Sequence, residues 1–563
     1  MKPQMTQDNK TLGTILLDRL AAEPEAEACR LVSEDGSFES VSVGRLMRKA
    51  MAYAEHFGVA SERRKIIGVS LYHGLDLHAA FIGGLLSGHI PTMLAPPSPR
   101  MEPGKYTDSL VQMLGHIRPD HLVLDAGVFG KLDKLALHSV SGSDIVDSTT
   151  IPESGNIAHF ATDPDAVALI QHSSGTTGLQ KGISLSHRAV LDHNSIYSKR
   201  LSIQRKDIIV SWLPLYHDMG FIACFLLPLL EGVLFVEISP FDWVRKPVLL
   251  LEQIHKHKGT LCWLPNFAYA FLAESVRPRQ IPEGLDLSGI RAWINCSEPV
   301  YHSSHVAFLE RFGRYGVNQP QFTASYAMAE NVFAVTQSLP GEYRTLSVNR
   351  ETFTDTHRAE PDDSPSSFTF VSNGPPLEHT ELTVADEAGR FLRNGRVGEL
   401  LVRGAHRFAE YFGRDDLTRA ALDGNGWYHT GDLGFLFDGE LFVTGRKKDL
   451  IIIQGRNFYP ADIEEVVGRI DGIAAGRVVA FGLADEASGT ERLIILAEPE
   501  NDAVAEERRL ALKVRNHVAQ ELDCTPSDVR IVPCRWLIKS TSGKLARTDN
   551  RRKYVEHFAS SKQ

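Results

Sequence analysis

Residues 166–182 read AVALIQHSSGTTGLQKG, an apolar run at 166–170 that gives way to glycines, hydroxyls and one lysine. Gly175, Gly178 and Gly182 permit positive φ and close backbone approach, so several N–H groups can converge on one anion. Ser173, Ser174, Thr176, Thr177 and Lys181 add donors and charge, and the set suits a polyphosphate. The spacing is not that of Walker A, which needs Gly-Lys-Ser/Thr after four free positions. Here two residues separate Gly178 from Lys181 and a glycine follows the lysine. The same composition also describes a flexible Ser/Gly/Thr linker, so the surrounding pattern must decide.

Outward from that stretch, short apolar runs at 66–71, 90–94, 122–124, 166–170 and 208–212 read as strands, and 75–87 reads as a helix between two of them. Strand, helix, strand implies a parallel crossover, and the repeat of the theme predicts an α/β protein with doubly wound sheets. Ligands then bind at strand carboxyl ends, where residues 173–182 would sit. Residues 186–198 are expected to form a helix whose N-terminus adds to the anion site. Upstream, residues 11–60 read as mostly helical.

The chain has 563 residues, enough for at least two domains, one large and one small. Hydrophobic residues make up 43% and charged residues 23%, which suits a globular protein rather than a disordered one. A net charge of −10, from 60 Lys plus Arg against 70 Asp plus Glu, gives no global field for nucleic acid or an anionic membrane. The six cysteines lie far apart without a CxxC, so neither a zinc knuckle nor a disulfide framework is suggested. No apolar leader opens the chain, and the greasiest run, 221–236, is broken by Pro228, Glu231 and Gly232. A cytoplasmic protein without a membrane span is expected.

Polar and aromatic residues recur where strands are expected to end. LPLYHDMGF (213–221) places His217 and Asp218 before a strongly apolar segment. It reads as a pocket gate or a polar turn, and as a metal dyad it lacks a third ligand. The apolar residues of 221–236 and 249–271 read as core or as a ligand tunnel, with Phe221, Trp263 and Leu264 as tunnel candidates. CSEPV follows an expected strand at 290–295, and YAMAE follows another at 322–325. An exposed Tyr326 could stack on a purine, and Glu330 could hold the magnesium that a nucleoside triphosphate brings. With the phosphate loop these describe an ATP pocket.

Further motifs follow in order: GELLVRG (398–404), YHTGDLG (428–434), TGRKKDLIIIQGRNFYPADIE (444–464) and STSGKLAR (540–547). Together they resemble the ANL superfamily of adenylate-forming enzymes. Within it NCSEPV, PNFAY, LYHDMG and KDLIIIQGRNFYPADIE most resemble the fatty acyl-AMP ligases. The resemblance implies an N-terminal domain over residues 1–447 and a small mobile C-terminal domain over 448–563. It makes residues 173–182 the triphosphate loop and places His217 between the acyl and nucleotide pockets. Glu298, Pro299, Ser325, Tyr326, Ala327 and Met328 would lie around the adenine, and Glu330 on the magnesium side. Asp432 would hold the ribose hydroxyls with help from Arg446, Lys448 would be the hinge, and Lys544 the catalytic lysine.

The implied cofactors are ATP and Mg²⁺. The implied partners are a fatty or related carboxylic acid and a holo acyl carrier protein supplied in trans. A segment of the fatty acyl-AMP branch is implied to restrain the small domain and disfavour coenzyme A, and residues 341–370 are the candidate. Ala327 stands where the family usually has glycine, His172 where threonine is common, and Gln180 replaces a frequent proline. Trp263 and Leu264 stand where small residues are usual, which implies a shorter or unusually shaped acyl chain. An acyl-CoA ligase on the same scaffold is the nearest alternative, and a binding protein that keeps the fold without the catalysis is another.

Overall fold

The computed structural model describes residues 10–97, 103–129, 132, 142–153, 160, 162–172, 181–364, 367–453, 456–485, 490–501, 507–522, 524–540 and 543–559. Its largest sheet has eight strands. Phe322–Ala327, Ala292–Cys296, Leu261–Pro265, Ile208–Ser211, Leu234–Ile238 and Glu27–Val32 run parallel in that spatial order. Antiparallel strands, Ala334–Gln337 and Phe38–Ser42, close its two edges. The central strands are apolar on both faces, AWINC and LCWLP being buried throughout, which fits a sheet covered by helices on both sides. A second, four-stranded parallel sheet orders Ile90–Met93, Ile66–Ser70, His121–Leu124 and Asp144–Asp147. The crossover through the helix Leu75–Leu86 is the one the spacing implied.

Two sequence expectations fail locally. The run at 166–170 does not join a parallel sheet: its strand, Val167–His172, pairs antiparallel with Gly182–Ser186, which in turn pairs with Glu410–Tyr411. The nine residues between the two strands are too few for a parallel crossover, so the chain folds straight back. Consequently the helix His187–Arg200 starts at the far end of Gly182–Ser186, about 16 Å of strand from the loop. Its N-cap is Ser186, whose side chain accepts from Ala189 N–H, so its dipole is not aimed at Lys181 and Gly182. Between the helices Leu12–Ala22 and Val43–Phe57 the structure also inserts the hairpin Glu27–Val32/Phe38–Ser42, turned by Gly36 at φ +84.

An antiparallel sheet of Thr380–Ala385, Gly398–Gly404, Tyr428–Phe437 and Glu440–Arg446 follows. Beyond it a separate hydrophobic cluster runs from Ile451 to Cys524. Its sheet pairs Ile473–Asp485 with Thr490–Pro499 and Thr490–Pro499 with Asp528–Ile531, covered by Pro460–Gly468 and Glu507–Leu522. No disulfide forms among the described residues, and none of their helices is long and apolar enough to cross a membrane.

Candidate active site

One cavity of about 880 Å³ collects most of the charged candidates. Lys181, His217, Glu330, Asp432, Arg446, Lys448 and Lys544 line it, as do Ala327 and Met328. Ser173, Ser174, Gly175, Thr176, Thr177 and Gly178 lie outside the described residues.

Strand pairing builds the polar rim. Asp432 and Arg446 are register partners on neighbouring antiparallel strands, and the Arg446 guanidinium meets Asp432 Oδ1 at 3.0 Å. Such cross-strand opposite charges attract, and Asp432 is the main cause holding the Arg446 pKa above its ordinary range. The other carboxylate oxygen accepts from the Tyr326 hydroxyl at 2.7 Å. Tyr326 is therefore not an exposed platform: it is 7% exposed, and its ring packs with Val335, Leu400, Val402 and Leu441. Alternation along Phe322–Ala327 sends it beneath the rim, where it orients Asp432. Ser325 is likewise buried and donates to the Thr336 carbonyl.

Glu330 sits on a short 3₁₀ turn, Ala329–Asn331, and its Oε1 accepts from the Tyr411 hydroxyl at 2.8 Å. Tyr411 also touches the Tyr428 hydroxyl at 3.1 Å, while the Lys181 ammonium lies 4.4 Å from its ring centroid. Sequence reading missed Tyr411 and Tyr428. Tyr428 opens the quoted YHTGD motif, but nothing local marks Tyr411, which becomes significant only when its two-residue strand pairs beside Lys181. The Glu330 carboxylate is a hard oxygen donor on the cavity wall, a donor set that suits magnesium, which takes one or two carboxylates plus phosphate oxygens.

His217 is half-buried, and its Nε2 has no partner among the described residues. Burial, reinforced by Lys544, pushes its pKa down to about 3, so the imidazole is neutral at ordinary pH. Burial instead raises the neighbouring Asp218 carboxyl, with Lys544 opposing. Lys544 reaches this wall from the far end of the chain and donates to the Ser297 carbonyl at 2.5 Å. The chain on either side of Lys544 is tied down: Lys539 and Leu545 bridge antiparallel, and buried Asn550 bonds both Ile538 and Ala546. Arg547 fastens the segment further through Asp449 at 2.8 Å and Glu464 at 2.8 and 2.9 Å.

Other candidates stand back from the cavity. Glu298 accepts from Phe267 N–H at 2.9 Å, and Pro299 follows it, half-buried. Phe221, Trp263 and Leu264 belong to the main core, each at most 3% exposed. Trp263 donates to the Tyr197 hydroxyl at 3.0 Å, and Phe221 packs edge-on to Phe81.

The AMP-binding enzyme model matches residues 17–412. The chain belongs to that family. It is an acid-adenylating ligase of the ANL superfamily, a group whose solved members it follows along nearly its whole length. A putative ligase of Mycobacterium tuberculosis is 30% identical over 82% of this chain and 84% of its own. A medium-chain-fatty-acid–[acyl-carrier-protein] ligase of Teredinibacter turnerae is 26% identical over 99% and 95%. A structure from work on fatty acyl-adenylate ligases of E. coli and L. pneumophila aligns with TM-score 0.88 at 25% identity, covering 99% of this chain and all of that one.

Proposed function

We propose that this ligase converts a fatty or related carboxylic acid to its acyl adenylate and then delivers the acyl group to the phosphopantetheine thiol of an acyl carrier protein. The observation that carries the reading is the arrival of Lys544 in a cavity already lined by Lys181, Glu330, Asp432 and Arg446. Two anions must meet there, the acid and ATP, and the protein's task is to align them and offset their charge.

In the first step a carboxylate oxygen of the acid attacks the α-phosphorus. An O–P bond forms, the bond to the bridging oxygen breaks, and pyrophosphate leaves. The substrate is the nucleophile, so no catalytic serine or cysteine is required. Lys544 would stabilise charge at the α-phosphate and the incoming acid. Asp432, oriented by Tyr326 and Arg446, would accept from the ribose hydroxyls. Neutral His217, with Nε2 unpartnered, would bond the acid beside the nucleotide. Glu330 would hold magnesium, which when bound offsets charge on the phosphate oxygens. The loop 173–182 would grip the triphosphate, with Ala327 and Met328 near the adenine.

The boundary near Lys448 would let residues 448–563 swing as one body. Residues 341–370 would limit that swing and so disfavour coenzyme A. Incubation with magnesium, ATP and a panel of acids, plus coenzyme A or a holo carrier protein, tests the reading by mass spectrometry. Acyl adenylate that persists with coenzyme A and disappears onto the carrier protein is expected. Acyl-CoA as product would keep the first step and replace the second.

A further inference from the structure

Phe267 is the second residue of the helix Asn266–Ser275, two positions after the cavity-lining Pro265, and it is half-buried. Two parts of the Lys544 hairpin rest on that ring. The Lys539 ammonium lies 5.3 Å from its centroid. Gly543 comes so close that a β-carbon there would stand 3.1 Å from Phe267 Cζ. Gly543 also has φ +84, a backbone that side chains other than glycine's rarely adopt. On the large-domain side, Trp212 and Trp243 meet the ring edge-on at 6.3 and 6.4 Å.

Glu298 fixes Phe267 from below by accepting its backbone N–H at 2.9 Å. The residue before it, Ser297, gives the carbonyl to which Lys544 donates. Residues 297 and 298 thus hold both the lysine's head and the ring under its hairpin. Burial lowers the Lys539 ammonium to about 8, and Glu298 is one of the carboxylates that oppose this. Neither Phe267 nor Glu298 lines the cavity, so neither is placed to touch reacting atoms.

We propose that Phe267, held by Glu298, is the positioning residue for Lys544: Lys539 and Gly543 must seat on this ring before the lysine can enter the cavity. The inference rests on the reading of Lys544 as the adenylation lysine. An approach of this closeness matters because a misplacement of about 1 Å at a catalytic group can cost roughly a hundredfold in rate.

The test uses the full chain in two assays. Acetylation footprinting by mass spectrometry, with Lys199 as an exposed control, reports whether Lys544 and Lys539 are shielded, and it needs no activity. ATP–pyrophosphate exchange reports adenylation. For Phe267→Ala we expect Lys544 labelling to rise several-fold and exchange to fall about a hundredfold at saturating ATP, with the KM for ATP little changed. Glu298→Ala should do the same more weakly, and it serves as the second variant if Phe267→Ala does not fold. Glu298→Gln, which keeps an acceptor for Phe267 N–H, should restore shielding. Phe267→Tyr adds its hydroxyl at Cζ, the atom facing Gly543, so it should lift the hairpin as Gly543→Ala does, and the two changes together should be less than additive. Reduced exchange with an unchanged footprint would make Phe267 packing alone and overturn the proposal. Raised labelling with unchanged exchange would overturn it equally, because seating would then not be required. Absence of exchange in the unaltered enzyme with every acid would instead strike the proposed function, while the footprint still reports on the seat.

Discussion

Lys544 has its ammonium 2.5 Å from a backbone carbonyl and within electrostatic reach of His217 and Asp218, so its removal leaves no buried core vacancy. Lys544→Ala should therefore fold normally and lose about a hundredfold or more in adenylation rate, the scale of one preorganised transition-state donor. Unaltered pyrophosphate exchange in a folded variant would remove the lysine from the mechanism. Trp263 poses the opposite case. It is fully buried, shares a strand face with the cavity-lining Pro265 two positions on, and is pinned through Tyr197 to Gln337 at 3.0 Å. On the proposed reading, a long acyl chain that ran on past Pro265 would need the space the indole fills. Trp263→Ala should lengthen the acids accepted while costing about 3–5 kcal/mol of stability. The chain-length profile of pyrophosphate release checks this, and an unmoved profile would leave Trp263 as core alone.

The first turn of Pro460–Gly468 places Asp462 near Tyr301 and Arg350. Burial pushes its carboxyl up to about 8, Glu465 adds to the rise, and Arg350 opposes it. The native state then holds a proton that the unfolded chain releases near pH 4, so this group's contribution to stability declines as pH rises from about 4 toward 8. Asp462→Asn should raise the melting temperature more at pH 8 than at pH 5. An equal shift at both pH values would contradict the protonated carboxyl.

What sequence could announce at this scale followed chain-local pattern. The parallel crossover at 66–93 is written in one apolar strand, one helix period and another strand, and Asp432 and Arg446 were legible as motif residues. Pairing partners were not legible. Val167–His172 has the same apolar run as a parallel strand, and only the returning Gly182–Ser186 settles its direction. Tyr326 misled for a related reason, since a residue at a strand's end faces out or in according to a sheet packed over it, here one that supplies Val384, Leu400, Val402 and Leu441 from much later in the chain. Tyr411 and Phe267 owe their roles to contacts across the fold, which no local pattern records.

On the proposed reading, residues 448–563 move against the rest of the chain and residues 341–370 limit that motion. Within residues 341–370, Thr345–Val348 pairs antiparallel with Phe368–Val371, and a helix, Arg350–Thr356, lies between them in the chain. Phe353 is 1% exposed and packs near Phe435 and Tyr459, while Phe368 packs against the C-terminal core. Arg350 spreads over Phe368 at 4.6 Å and reaches the Glu521 carbonyl, and His357 meets Asn457 at 3.0 Å. Deleting residues 341–370 would strip Val348 and Phe353 from the core and confuse restraint with unfolding. Arg350→Ala combined with His357→Ala cuts the outer ties and leaves the apolar footing. If the ties restrain the C-terminal body, the double variant should transfer its acyl group to coenzyme A at least about tenfold faster, the size of an ordinary coupling between distant sites, with adenylation unchanged. Acyl-CoA formation measured by mass spectrometry decides it: no gain in a folded, adenylating variant would mean that the segment packs against the C-terminal body without governing its motion, and selection against coenzyme A would then have to lie in the path by which the thiol reaches the adenylate.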